Sequence, residues 1–301
     1  MFWLAFVLLF AVQQGGGSTI GRSSRSNDPN CGKASVGLNA APQRIHGGQY
    51  ATQGMFPWMV SLKNLKPENL HYKHYCGGTL YNNQWVITAA HCAAEATGGT
   101  DPSMWRVRAG LTSVVTWEDG REDYNVSRVI LHPAYHEFTI GSQDVAHHDV
   151  ALIKLASPIT VNNLVNNICL PDSDAIPGTN CVVSGWGYHD IQNQVDGAES
   201  ERLKWTYAPL LDPAYCSKDH VWGTLEVSSI QVCAGYEHGR DDACDGDSGG
   251  PLICPSPDGS RWELHGIVNW GEQPCGDPHK PTMYARVTAF KSWIEQTIQS
   301  N

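Results

Sequence analysis

The sequence predicts an all-β protein, and two observations support this prediction. The 301 residues include 30 glycines and 17 prolines, so turn-forming residues recur along the whole chain. Between them the apolar residues form short runs, for example at residues 85–90 and 150–155. Short apolar runs bounded by turn residues are typical of buried strands. With 41% hydrophobic residues, the chain can bury a sizeable core.

The runs divide the chain into two halves of strands and a closing helix. In the first half we expect strands at residues 56–62, 75–80, 85–92, 106–110, 126–131 and 150–155, with a surface loop over 64–74. In the second half we expect them at 180–187, 203–208, around Cys254, and at 264–270 and 282–287. Phe290, Trp293, Ile294 and Ile298 recur at helical spacing, which predicts an amphipathic helix over 289–299.

Three segments precede or make up the predicted domain. Residues 1–18 hold an apolar run of roughly 11 residues followed by small and polar ones, a pattern that predicts a signal peptide and a secreted, extracellular protein. The run lacks a preceding positive charge, and an uncleaved membrane anchor is the alternative. Residues 19–44 are rich in Gly, Ser and Asn and predict a propeptide, which leaves 45–301 as the main domain.

Charge and cysteine content narrow the class of protein. The net charge of −10 argues against nucleic acid or an anionic membrane as partner. Ten cysteines in a secreted chain indicate disulfides, although spacing alone leaves their connectivity open. The chain contains neither a C-x-x-C pair nor an H-E-x-x-H motif, so a zinc site is disfavoured.

Residues 241–251, Asp-Asp-Ala-Cys-Asp-Gly-Asp-Ser-Gly-Gly-Pro, have the composition of a nucleophile loop. Glycines on both sides of Ser248 allow a tight turn, and the backbone N–H groups of Gly246 and Ser248 could form an oxyanion hole. The alternative is an ordinary Gly/Asp/Ser surface turn. A serine also needs a base and an orienting carboxylate. His91 ends the apolar run 85–91, and Asp149 begins the run 149–155.

The order His91, Asp149, Ser248, within Val-Ile-Thr-Ala-Ala-His-Cys, Asp-Val-Ala-Leu-Ile-Lys-Leu and Asp-Ala-Cys-Asp-Gly-Asp-Ser-Gly-Gly-Pro, resembles the trypsin/chymotrypsin family of serine endopeptidases. The resemblance runs from Ile45 to about residue 298. It implies two six-stranded antiparallel β-barrels with the active site in the cleft between them. It also implies acyl transfer to Ser248, with His91 as general base and Asp149 as its orienting carboxylate.

The resemblance further implies activation by cleavage. Gln-Arg-Ile-His-Gly-Gly around Arg44 and Ile45 matches the family's activation site, and the new ammonium of Ile45 would pair with Asp247. His46 departs from the usual apolar residue. The resemblance also implies five disulfides, one of which would tether the propeptide as a light chain: Cys31–Cys169, Cys76–Cys92, Cys181–Cys254, Cys216–Cys233 and Cys244–Cys275.

Specificity rests on fewer residues. Asp242 matches the carboxylate at the base of the trypsin pocket, which would favour Lys or Arg. Gly271 matches the glycine that leaves the wall of the trypsin pocket open. Thr282, however, stands where trypsin has a second glycine, and at this position the chain resembles the pancreatic elastases. We expect cleavage after Lys or Arg because an unpaired buried Asp242 would be costly. Asp245 at the pocket rim should disfavour acidic residues near the scissile bond.

Two further roles are expected from single residues. Asn269 replaces a serine that in most members bonds the catalytic aspartate, and its amide could still donate to Asp149. Asn125 is the acceptor of an N-glycosylation sequon. We expect no cofactor or metal; the acidic residues around the family's calcium loop are more simply solvated, with Leu111 in the place of a ligand.

The sequence thus predicts a secreted, zymogen-activated serine endopeptidase, monomeric and acting on protein or peptide substrates, with protein protease inhibitors as further partners. Two alternatives remain: an elastase-like enzyme that prefers small apolar residues, and a catalytically silent binding module on the same fold.

Overall fold

The computed structural model describes residues 28–37, 48–68, 70–140, 143–187, 200–223, 229–239, 243–272 and 275–301. The strands lie at Gln49–Tyr50 (β1), Met59–Lys66 (β2), His71–Asn82 (β3), Trp85–Thr88 (β4), Trp105–Ala109 (β5), Glu122–Leu131 (β6), His136–Ile140 (β7), Gln143–His147 (β8), Ala151–Leu155 (β9), Asn180–Gly185 (β10), Lys204–Pro209 (β11), Gln231–Ala234 (β12), Pro251–Pro255 (β13), Trp262–Trp270 (β14) and Thr282–Arg286 (β15). The helices are Ala90–Ala94 (α1), Pro213–Cys216 (α2) and Val287–Ser300 (α3), with a 3-10 turn at Pro102–Met104.

The first half of the chain forms a closed antiparallel barrel in the order β2–β3–β4–β9–β6–β5. Its interior is filled by side chains with no solvent exposure, among them Leu62, Leu80, Ile87 and Leu152. Strand β9 pairs with both β4 and β6. Because β4 and β9 are antiparallel, the end of β4 lies beside the start of β9. This pairing matters for the site, because His91 follows β4 and Asp149 precedes β9.

The second half forms a seven-stranded sheet in the order β1–β11–β10–β13–β14–β15–β12. The resemblance implies six strands in this half, and the two-residue strand β1 is the additional seventh. The sheet curls so that β11 and β12 meet: Leu210 and Ala234 form an isolated bridge, and the Leu211 N–H donates to the Cys233 carbonyl at 3.1 Å. The predicted all-β class, with one closed six-stranded barrel, a second sheet and a C-terminal helix, is confirmed.

One local prediction is corrected, and one hairpin was missed. The expected loop over 64–74 is a hairpin, because β2 continues to Lys66 and β3 starts at His71. Two of its polar residues are buried and have partners: Asn64 Nδ2 donates to the Thr97 carbonyl at 3.1 Å, and His74 contacts Ser61. The hairpin β7–β8 was not predicted, and it lies immediately before Asp149.

Five disulfides join the pairs that the resemblance implies, and no cysteine of the described residues is free: Cys31–Cys169, Cys76–Cys92, Cys181–Cys254, Cys216–Cys233 and Cys244–Cys275. The first of these holds residues 28–37 against the body of the protein. There the Gly32 N–H donates to the Asn167 carbonyl at 2.7 Å, and the Trp262 N–H donates to the Gly32 carbonyl at 2.9 Å.

The C-terminal helix α3 closes the structure where it was predicted. It buries Val287, Phe290 and Ile294 against the protein core, while Trp293 and Ile298 are partly buried. In the described part of the chain, no helix combines the length and apolarity that crossing a membrane requires.

The barrel interior should dominate the stability of the first half. We expect Leu152→Ala, in the fully buried centre of β9, to lower the free energy of unfolding by about 2–5 kcal/mol, because it leaves a cavity. Val115→Ala, at a side chain that is 62% exposed, should change it by less than about 0.5 kcal/mol. Denaturant unfolding with intact disulfides measures both, and equal effects would contradict the assignment of Leu152 to the core.

Candidate active site

His91 is placed by the end of strand β4 and the short helix α1. The helix starts at Ala90, directly after the strand, and the Cys76–Cys92 bridge ties it to β3. The side chain of His91 is 14% exposed and lines a cleft of about 700 Å³. One edge of the imidazole is therefore open to a ligand while the other faces the protein.

Asp149 faces the inner edge of that imidazole from the start of β9. Its Oδ2 lies 2.7 Å from His91 Nδ1, and its Oδ1 accepts the His91 backbone N–H at 2.8 Å. The carboxylate has no solvent exposure. Two hydrogen bonds to one residue fix both the backbone and the ring of His91 relative to Asp149.

The protonation of His91 is governed by opposing effects. Burial disfavours the imidazolium, but the Asp149 charge and hydrogen bond, with weaker contributions from Glu95 and Glu137, outweigh burial and raise the pKa of His91. The site is thus built to accept a proton on His91. That is the property required of a general base.

Asn269 does not bond to Asp149 as the sequence suggested. Its Nδ2 donates to the Ala146 carbonyl at 3.0 Å, across the approach of β14 to β8. Its Oδ1 is buried and has no hydrogen-bond partner in the described residues. The amide therefore ties β14 to the hairpin that precedes Asp149, which supports the carboxylate indirectly.

Ser248 is carried by a loop that packs against the middle of β3 and the end of β4. The Gly77 N–H donates to the Ser248 carbonyl at 2.8 Å. Gly249 has a φ of +75°, and a Cβ at this position would lie 2.2 Å from Thr88 Oγ1. Only glycine can make this approach, so the residue after Ser248 contacts the end of β4, three residues before His91.

The backbone of this loop leaves two donors free. The N–H groups of Asp247, Gly249 and Gly250 donate to carbonyls, whereas those of Gly246 and Ser248 have no partner within the described ranges. Gly246 has a φ of +91°, which favours glycine. Two unpaired donors on one turn next to a serine hydroxyl suit a developing oxyanion.

In the part of the chain that the structure describes, Ser248 Oγ and His91 do not form a hydrogen bond. His91 Nε2 lies instead 3.8 Å from Cys92 Sγ. Bonds between a nucleophile and its base are often long without substrate and tighten in the complex.

Asp247 is buried beneath the loop. Its Oδ1 accepts the Gly187 N–H at 2.7 Å and its Oδ2 accepts the Cys244 N–H at 2.9 Å. Burial is the largest effect on this group and raises its pKa to about 6, although both hydrogen bonds act in the opposite direction. Arg44 and Ile45, the expected activation residues, lie outside the described residues.

His74 was missed by sequence reasoning and supports the same loop from the first barrel. Its Nδ1 lies 2.8 Å from Ser61 Oγ and its Nε2 lies 3.2 Å from the Gly246 carbonyl. Burial lowers the pKa of His74 to about 4, so the ring is neutral at neutral pH. A histidine within a strand gives no motif that could have revealed this contact.

A small pocket of about 40 Å³ opens beside Ser248. Its walls include Asp245, Asn269, Gly271 and Thr282. Thr282 is 4% exposed, and a Cβ on Gly271 would lie 3.6 Å from Thr282 Oγ1, so these two residues face each other across the pocket. Asp242, the expected specificity carboxylate, lies outside the described residues.

The remaining expected sites have the following surroundings. Asn125 is exposed on β6. Near the expected calcium loop, Glu118 accepts hydrogen bonds from Thr112 and Ser113, and Asp123 pairs with Arg108, so both carboxylates have protein partners. The sulfur atoms of Cys76 and Cys92 near His91 are bonded to each other and offer no thiolate to a metal.

Comparisons with known proteins identify the family. The Trypsin family model matches residues 45–294. The chain is 37% identical to transmembrane protease serine 5 of Homo sapiens, over 88% of this chain and 54% of that protein. It is also 37% identical to transmembrane protease serine 9 of Rattus norvegicus, over 85% of this chain and 22% of that protein. It thus spans about half of the first and less of the second.

A third relative is comparable in length. Serine protease 1 of Canis lupus familiaris is 37% identical to the chain, over 86% of this chain and 91% of that protein. The family match covers the strands, the loop of Ser248 and the His91–Asp149 pair together. The chain therefore belongs to the trypsin family.

Proposed function

We propose that the protein is a secreted endopeptidase, made as a zymogen, that hydrolyses peptide bonds after Lys or Arg through an acyl-enzyme on Ser248. The observation that carries this proposal is the buried Asp149 carboxylate, 2.7 Å from His91 Nδ1, at the wall of a cleft that also borders the pocket of Ser248. A serine hydroxyl becomes a good nucleophile only beside such an oriented base.

The chemistry follows from these contacts. Ser248 Oγ attacks the scissile carbonyl while His91 Nε2 takes its proton, and Asp149 stabilises the imidazolium without taking up the proton itself. The carbonyl oxygen gains negative charge, which the free N–H groups of Gly246 and Ser248 would bind. His91 then protonates the leaving amine, and water hydrolyses the acyl-enzyme by the reverse proton path.

Activation is proposed to act through Asp247. In the uncleaved chain this carboxylate is buried with two backbone N–H partners, and its raised pKa reflects the cost of a buried charge with too little compensation. An ammonium released by cleavage between Arg44 and Ile45 would compensate that charge. The same carboxylate directly precedes Ser248, so its ion pair would fix the oxyanion loop.

The proposal of Lys or Arg specificity rests on Asp242, by analogy with the family. One observation favours the elastase-like alternative. Thr282 is buried in the wall of the pocket beside Ser248, opposite Gly271, where it reduces the width available to a long side chain. The two candidates therefore differ in whether a charge at the base or the width of the wall decides selectivity.

The assignment of the three catalytic residues is tested by variants of protein cleaved at Arg44–Ile45. We expect Ser248→Ala to abolish labelling by a covalent serine probe, and Asp149→Asn to lower kcat by a factor on the order of 10⁴. Ser217→Ala and Asp219→Asn, at exposed positions, are the matched controls and should retain activity. A well-folded, cleaved wild type that neither labels nor turns over peptides would favour the silent binding module.

The specificity proposal is tested with peptides that differ only in Arg, Lys, Ala or Phe before the scissile bond. We expect the highest kcat/KM for Arg or Lys, its loss in Asp242→Ser, and a gain for basic peptides in Thr282→Gly because the pocket widens. Preference of the wild type for Ala would reject the tryptic reading and support the elastase-like one.

The role of Asp247 predicts a pH dependence of stability. Its pKa in the folded, uncleaved chain is about 6, above the ordinary aspartate value of 3.8, so folding takes up a proton. The associated stability is fully present below pH 3.8 and is lost as pH rises through about 6, a change of roughly 3 kcal/mol at most.

The measurement compares the unfolding free energy of the uncleaved chain with that of Asp247→Asn from pH 4 to 7. The difference should shift in favour of the variant as pH rises. After cleavage at Arg44–Ile45 the shift should disappear, because the ammonium would lower the pKa of Asp247. A shift that survives cleavage would contradict the proposed ion pair.

A further inference from the structure

We propose that the active-site cleft selects peptides with Lys or Arg at positions flanking the residue before the scissile bond. The carboxyl groups of Glu95 and Glu137 are the main determinant of this preference. The inference rests on the proposed endopeptidase function and adds the substrate class. It concerns the cleft around His91, separate from the primary pocket beside Ser248.

The lining of the cleft carries charge of one sign. It includes the carboxyl groups of Glu95, Glu137, Asp144, Asp245 and Glu272, and among the described residues no Lys or Arg lines it. Within the part of the lining that the structure describes, His91 is the only basic group. A concave surface with this charge distribution concentrates cationic segments and repels anionic ones.

Two of these carboxyls lie together beside the catalytic histidine. Glu95, just beyond α1, and Glu137, on β7, both line the cleft beside His91 and act electrostatically on it, and Glu95 also raises the pKa of Glu137. Both side chains are exposed, and their negative charges repel each other. A Lys or Arg side chain bound between them would relieve this repulsion and pair with both.

A buried acceptor on the same wall provides a second, independent indication of a ligand. Asn269 is 7% exposed and lines the cleft, and its Oδ1 has no hydrogen-bond partner within the described residues. A buried amide oxygen without a donor is costly unless a ligand supplies one. The N–H groups of a bound peptide or of a basic side chain are such donors.

The walls are also suited to the stem of a long basic side chain. Phe138 and Trp270 line the cleft together with the acidic groups. Lys and Arg bury their methylene stems on such surfaces while their charged ends reach carboxylates, and they stack on aromatic faces. Aspartate or glutamate residues in the substrate have neither contact.

The experiment uses protein cleaved at Arg44–Ile45 and four peptides with the same residue before the scissile bond. The flanking residues are glutamine throughout, or arginine on one side, the other, or both. Products are resolved by mass spectrometry, and only cleavage at the designed bond is counted, because a flanking arginine can itself be cleaved. At low ionic strength we expect kcat/KM for that bond to be about tenfold higher for the fully basic peptide than for the neutral one, and about twofold at 0.5 M salt. Equal rates for the four peptides would overturn the inference.

The determinant is identified by the double variant Glu95→Gln/Glu137→Gln. We expect it to reduce the basic-to-neutral ratio at least about threefold, because each exposed pairing contributes modestly. Glu68→Gln removes an exposed carboxylate that does not line the cleft and should leave the ratio unchanged. A double variant with the wild-type ratio would overturn the assignment to this pair.

The ratio should also depend on pH. Burial, followed by the effect of Glu95, raises the pKa of Glu137; His91 acts in the opposite direction, Asp149 adds to the rise, and Tyr135 donates a hydrogen bond to Glu137. Acidification should therefore reduce the preference at a pH above the ordinary range of glutamate. Titration of His91 affects both peptides and cancels in the ratio.

Failure of the two proposals can be separated. Binding of the same peptides to the Ser248→Ala protein needs no catalysis, and tighter binding of the basic peptides supports the inference by itself. Cleavage of all peptides at equal rates, with equal binding, rejects the inference and keeps the endopeptidase. No probe labelling and no cleavage, with equal binding, rejects both.

Discussion

The pairing of strands β4 and β9 is the constraint on which the site depends. His91 follows one strand and Asp149 precedes the other, so a barrel that pairs these strands in the observed register brings the imidazole and the carboxylate to one edge. Packing of the barrel's apolar interior supplies the free energy that keeps Asp149 fully buried. The backbone N–H of His91 supplies the second hydrogen bond to the carboxylate. A charge buried this deeply is tolerated because His91 satisfies both of its oxygens.

The loop of Ser248 depends on a different physical condition, the absence of side chains. Gly249 lies against Thr88, and Gly77 is so close to Gly250 that a Cβ there would lie 2.9 Å from its Cα. These approaches hold the second sheet against the first barrel next to His91. Glycine loses more conformational freedom on folding than any other residue, so its use here lowers stability in exchange for a contact that no other residue permits.

The sequence predicted the parts of the protein that local motifs encode. His91, Asp149 and Ser248 lie in long runs whose order and context were sufficient, and the apolar runs located most strands. Contacts between polar side chains that are distant in the sequence could not be predicted from it. The hairpin over 64–74 looked like a loop because its buried Asn64 and His74 are polar, and their satisfaction depends on Thr97, Ser61 and Gly246. Likewise, nothing local indicated that the amide of Asn269 donates to Ala146.

The acidic cleft shows why specificity is harder to derive than chemistry. Glu95 and Glu137 are 42 positions apart in the numbering and belong to no motif, yet the hairpin β7–β8 brings them together beside His91. The reacting groups must meet a fixed geometry, and this requirement leaves a pattern in the sequence. Flanking carboxylates act through a field that several positions can supply, so the charge of the cleft is constrained while the positions that carry it are free.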